Sequence, residues 1–171
     1  MTDQYFTCAE TAKLVRKALK AKFPGQKFSV RSSTYSGGAS MRVRWTGGPT
    51  VEAVKDVTSP FEGGGFDGSI DLKYDVYSWL LPDGSVQFGQ SRGTEGSRGT
   101  VPAFDNAKPH PDAILVSFAS DYIFVDRDPA PGAPPAHDCH ENLSVHGWRG
   151  FDCDICRLYA EPVYHQAEAV R

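Results

Sequence analysis

Hydrophobic positions near the start of the chain recur at helical spacing. Over Thr7–Phe23, Ala12, Val15, Leu19 and Phe23 fall on one face, and Lys13, Arg16, Lys17, Lys20 and Lys22 occupy much of the rest. Thr7 precedes Glu10 by three residues, the spacing of a capping box, and Pro24-Gly25 ends the pattern. The period then changes from helical to alternating. Phe28 and Val30 predict a strand to about Ser33, and Met41, Val43 and Trp45 alternate with Arg42 and Arg44 in a second strand. Tyr35-Ser36-Gly37-Gly38 supplies the turn, so the two make a hairpin with an apolar face and a face carrying arginines. Thr50 opens a short helix in which Val51, Val54 and Val57 face inward.

Past Pro60 the pattern loosens. Residues Phe61–Gly68 hold four glycines, too many for regular structure, and predict a long shaped loop. Asp75–Leu81 and Gly84–Phe88 flank the turn Pro82-Asp83-Gly84 and predict a hairpin. Gly89–Gly99 contains little that is apolar and predicts a flexible loop. Ile114–Phe118 and Tyr122–Val125 predict a last pair of short strands. Four prolines within residues 129–135 predict a stiff extended linker. The expected architecture is therefore α+β, a mainly antiparallel sheet with two helices over residues 1–128. A proline-rich linker follows over 129–136, then a small tail over 137–171.

Composition narrows the function classes. The 171 residues include 17 Gly and 12 Pro, an excess that argues for turns and against a helical bundle. No run of eighteen apolar residues exists to cross a membrane, so no membrane partner is expected. Residues 1–5 have neither the basic start nor the apolar stretch of a secretory signal. A net charge of −3 argues against a general nucleic-acid coat. That charge is unevenly spread. Residues 1–60 carry ten Lys/Arg against four Asp/Glu, whereas residues 61–171 carry eight against seventeen. Charge blocks of this kind usually solvate two faces that pair with each other, but the basic one also suits phosphates or an acidic partner.

Three ordered motifs carry a resemblance. They are Tyr35-Ser36-Gly37-Gly38-Ala39-Ser40, Trp45-Thr46-Gly47-Gly48-Pro49-Thr50 and Phe66-Asp67-Gly68-Ser69-Ile70-Asp71-Leu72-Lys73-Tyr74. Over residues of about 10–92 the chain resembles the large polyvalent protein-associated domain family, the member numbered twenty-nine in that series. The resemblance implies a protein of a phage, plasmid or other mobile element that helps the element survive in its host, including against host defence. It brings no agreed enzymatic activity and no catalytic residue. A protein that acts on a host defence complex would work in the host cytoplasm.

Four cysteines are present. Cys8 lies inside the first helix and is expected to be a small core residue. Cys139, Cys153 and Cys156 cluster with histidines. A Cys-x-x-Cys pair grips one face of a tetrahedral zinc ion, and Cys139 with a histidine completes a Cys3His site. His137, two residues from Cys139, projects on the same side of an extended segment and is the favoured fourth ligand; His146 and the adjacent His140 are the alternatives. Three thiolates leave no open catalytic position, so this zinc is structural, a staple for a tail with little core of its own. Spectator thiols or a local disulfide are the competing readings.

Other chemistries fail on position. The alternation Asp67, Ser69, Asp71, Lys73, Asp75 lacks the glycine and the closing glutamate of a calcium loop. Gly63-Gly64-Gly65 is followed by no Gly-Lys-Ser/Thr. The candidate binding residues are Arg31, Arg42 and Arg44 on the hairpin, with Asp67 and Asp71 in the glycine segment. Strand alternation places Trp45 opposite Arg42 and Arg44, which makes it a core residue and weakens a base-stacking reading. The leading expectation is a non-enzymatic protein that binds and inhibits a host defence or nucleic-acid-processing complex. Two alternatives stand beside it. One is a nucleic-acid-binding accessory factor using the basic N-terminal face. The other is a nucleotide- or nucleic-acid-modifying enzyme with its site in Gly63–Asp75.

Overall fold

A computed structural model describes residues 4–129 and Pro131. Cys139, Cys153, Cys156 and His137, with the rest of the expected zinc tail and most of the linker, lie outside the described residues. Met1–Asp128 is one compact unit.

The first helix, α1 (Cys8–Lys22), begins where the capping box places it. The Thr7 hydroxyl accepts from the Glu10 amide, and the Glu10 carboxylate accepts from the Thr7 amide at 2.9 Å. Cys8, Ala12, Val15 and Leu19 are buried, so the apolar stripe read from spacing is the packed face. The short α2 (Val51–Thr58) is capped by Thr50, whose hydroxyl accepts from the Ala53 amide, and it buries Val54. A 3-10 turn, Ser59–Phe61, extends it and buries Phe61.

Among the described residues there are ten strands: β1 (Gln4–Phe6), β2 (Ser29–Tyr35), β3 (Gly38–Thr46), β4 (Gly64–Asp67), β5 (Leu72–Asp75), β6 (Tyr77–Leu80), β7 (Val86–Ser91), β8 (Phe104–Asp105), β9 (Ile114–Phe118) and β10 (Tyr122–Asp128). They form a five-stranded sheet ordered β1-β9-β6-β7-β8, a three-stranded sheet ordered β10-β3-β2, and the β4-β5 hairpin. The fold is α+β, but its sheets are mixed. β1 runs parallel to β9 and β10 runs parallel to β3, two parallel pairings within the mainly antiparallel arrangement that was expected.

Three expectations are corrected. The strands β9 and β10 do not pair with each other. Gly63 donates to the Ser120 carbonyl at 2.8 Å, the Asp121 amide bonds to Ala39, and the chain switches sheets there. The glycine segment is not all loop, because Gly64–Asp67 pairs antiparallel with Leu72–Asp75. The glycines serve close approach: a β-carbon at Gly63 would run into the Phe118 carbonyl and one at Gly65 into the Tyr74 ring. The Gly89–Gly99 segment is partly strand, and its remainder is held by buried Thr94, whose hydroxyl accepts from the Val101 amide at 3.1 Å.

The core gathers where the two larger sheets and the helices meet. Val15 and Leu19 of α1 pack with Met41 and Val43 of β3, Ile123 of β10, and Val116 and Phe118 of β9. Phe61 meets Phe118 with ring centroids 5.4 Å apart. Trp45 is buried, packs on Phe28 and donates its indole N–H to the Pro49 carbonyl at 3.0 Å. Helix α1 contacts β2 and β3, and α2 contacts β10, so the helices cover one face of the three-stranded sheet. The opposite face carries the arginines.

Candidate interaction face

The open face is written in cross-strand rows. Phe124 of β10 lies opposite Arg42 of β3, and Arg42 lies opposite Arg31 of β2. The next row is Asp126, Arg44 and Ser29; on the other side runs Tyr122, Ser40 and Ser33. Alternation explains which residues share the face, since Ala39, Met41, Val43 and Trp45 point the other way into the core.

Electrostatics within the face are partly settled. Asp126 takes Arg44 Nε at 3.3 Å and lies 3.6 Å from Arg42 Nη1. Both pairs sit in solvent, where each contributes no more than about 1 kcal/mol. The Arg42 guanidinium also lies over the Phe124 ring, 5.8 Å from its centroid. Arg31 makes no ion pair among the described residues, and it stands directly across from Arg42, an arrangement of like charges that costs stability. Phe124 is 49% exposed and Tyr35, at the hairpin end, 51%. The ring of Tyr122 sits 6.4 Å from that of Phe124. Opposed arginines beside solvent-facing rings are poor choices for fold stability alone and suit a surface that something else covers.

A polar cluster borders this face. Lys73 Nζ meets Asp121 at 2.7 Å, and the hydrogen bond to Asp121 raises the lysine above its ordinary pKa. Burial pushes the Tyr122 phenol up, with the Asp121 charge adding to it. Burial also pushes Glu62 up, although its carboxylate accepts from the Ile123 amide at 2.7 Å.

The remaining candidates are placed elsewhere. Asp67 is buried, 4% exposed, and both oxygens are engaged. One accepts from the Ser69 hydroxyl at 2.6 Å and the Ser69 amide at 3.0 Å; the other accepts from the Thr94 hydroxyl at 3.0 Å and the Thr100 amide at 3.1 Å. Led by the Ser69 hydroxyl, these bonds lower its pKa to about 2. Asp67 thus ties the β4-β5 turn to the segment after β7. Asp71 sits exposed in that turn with φ of 54°. Neither aspartate shares a sheet with Arg31, Arg42 and Arg44. Cys8 is in the core, and burial raises its thiol. Among the described residues no cluster of three His, Cys, Asp or Glu side chains is placed to hold a metal ion. No helix among them is long and apolar enough to cross a membrane.

The sequence pattern sets the arginines on one face but does not mark Phe124, Tyr122 and Asp126 as their neighbours. The local signal was present, because Tyr122, Phe124 and Asp126 alternate with the inward Ile123 and Val125. What was not local is the parallel pairing of β10 with β3.

Comparison with known proteins gives one family. The model for large polyvalent protein associated domain 29 matches residues 6–129, reaching well past the three motifs to include β9 and β10. No curated protein and no solved structure matches the chain.

Proposed function

The chain belongs to the large polyvalent protein associated domain 29 family, which associates it with phages and other mobile elements, and from that premise we propose that it is a non-enzymatic accessory protein that binds and blocks a host defence or nucleic-acid-processing complex in the host cytoplasm. The observation carrying this reading is the open face of β10-β3-β2, where Arg31, Arg42 and Arg44 lie among exposed Phe124 and Tyr35. Arginines and aromatic rings are the residue types that dominate binding energy at interfaces, because they combine large contact area with directional or charged contacts.

The buried carboxylate of the glycine segment, Asp67, accepts from five donors and is held ionised far below neutral pH. That favours a binding role over an acid–base one in Gly63–Asp75. A zinc-stapled tail, with Cys139, Cys153, Cys156 and His137 as ligands, belongs to the same proposal as a structural element.

Affinity capture from host lysate tests the reading. The wild-type chain is expected to retain a stoichiometric partner that an Arg31→Ser, Arg42→Ser, Arg44→Ser variant of unchanged thermal midpoint releases. Equal retention by the two proteins would contradict it.

A further inference from the structure

We infer that the β10-β3-β2 face holds that complex through its single-stranded nucleic acid; this rests on the reading of that face as the binding surface and names what it grips. Two kinds of group are needed to bind a single strand without sequence preference: cations that follow the phosphates, and rings on which unstacked bases lie. The face has both in one plane. Phe124, Arg42 and Arg31 form one row across three strands. With neighbouring strands about 4.8 Å apart, that row spans roughly 10 Å. A base on Phe124 therefore leaves its flanking phosphates within reach of Arg42 and Arg31.

The ring arrangement supports the same ligand. Tyr122 flanks Phe124, and Tyr35 stands exposed at the hairpin end. Ser29, Ser33 and Ser40 share the open face and add short hydroxyls for sugar or base edges. Trp45, the aromatic nearest the arginines in sequence, is buried and takes no part.

Charge complementarity separates the single strand from its rivals. A duplex presents one charge per roughly 1.7 Å and hides its bases, so it would leave Phe124 without a role. Three arginines with Asp126 among them are too few to hold that density. An acidic peptide would use the arginines but has no need of stacked rings. Asp126 fits a displaceable brace: it pairs with Arg42 and Arg44 at 3.6 and 3.3 Å until phosphates take them, and Arg42 then leaves the Phe124 ring it covers to a base. The face is small, matching a site of about four nucleotides.

Fluorescence anisotropy of the full chain with labelled dT and rU twenty-mers and a twenty-base-pair duplex, at two salt concentrations, tests this. Expected is tighter binding of the single strands than of the duplex by about tenfold or more, weakening as salt rises. Phe124→Ala should weaken it about tenfold to a hundredfold, and Phe124→Leu, which keeps apolar bulk without a ring, nearly as much. Arg31→Ser should flatten the salt dependence by close to one phosphate contact. No binding of any oligonucleotide, a preference for the duplex, or indifference to both Phe124 variants overturns the inference. Capture from nuclease-treated lysate separates its failure from that of the broader reading. A partner retained there and released by the triple arginine variant, with no oligonucleotide bound, makes the ligand a protein and overturns only the inference. Absence of both overturns the two together.

Discussion

The Arg42 guanidinium lies over the ring of Phe124, 5.8 Å from its centroid. The two meet because β10 docks in parallel on β3 and sets them in register. The contact joins a charge from the first third of the chain to a ring that local pattern marked only as part of a strand. A cation over a solvent-facing ring contributes about 0.5–1 kcal/mol, so Phe124→Ala should leave the fold intact while removing the ring from the face.

Asp67 should behave as a structural anchor. Asp67→Ala strands the Thr100 amide and the Thr94 hydroxyl, and is expected to lower the thermal midpoint by about 5 °C or more and speed amide exchange over residues 94–101. Its folded pKa of about 2 lies below the ordinary 3.8. The stability it adds is therefore fully present above the ordinary value and is lost as pH falls toward about 2. The gap between wild type and Asp67→Asn, followed by thermal melts, should shrink across that window.

Glu62 carries the opposite sign. Burial raises its folded pKa above the ordinary 4.5, so the ionised carboxylate costs stability once pH rises through that raised value. Glu62→Gln keeps an oxygen for the Ile123 amide and removes the charge. At pH 7 it should melt at or slightly above wild type, by about 1–3 °C, and the difference should vanish below about pH 4. Glu62→Ala, which leaves that amide without an acceptor, should be less stable at every pH.

Gly63 is required by space. Its amide bonds to Ser120 and its carbonyl accepts from the Val76 amide at 3.0 Å, which presses it against β9. A methyl group there meets the Phe118 carbonyl, so Gly63→Ala should cost about 2–4 kcal/mol in denaturant unfolding.

These residues show what the sequence made legible. Local signals transferred well. The capping box at Thr7 and Glu10, the Pro24-Gly25 stop, the hairpin turn at Ser36-Gly37 and the split of Trp45 from Arg42 and Arg44 all stand in the structure. Each depends on neighbours within a few residues. Pairings that depend on the whole chain were not legible. Parallel contact between Arg42 and Phe124 spans some eighty residues, and no periodicity encodes it. The glycines of residues 63–65 read as loop because their value lies in what packs against them, Phe118 and Tyr74, and not in their own conformational freedom.

The tail makes a separate prediction. The purified 171-residue chain should carry about one zinc, held by Cys139, Cys153, Cys156 and His137, and Cys153→Ser should release it. Metal analysis decides; less than about half an equivalent in the wild type would remove the zinc staple.

Location of the binding surface is the central claim, and paired charge reversals test it most directly. Arg42→Glu changes the open face, whereas Lys13→Glu makes the same change in net charge on the exposed side of α1. Partner capture from host lysate, measured with both, should fall more than about tenfold for Arg42→Glu and stay at the wild-type level for Lys13→Glu. Equal losses in the two variants, or a loss in Lys13→Glu alone, would contradict the assignment of the β10-β3-β2 face.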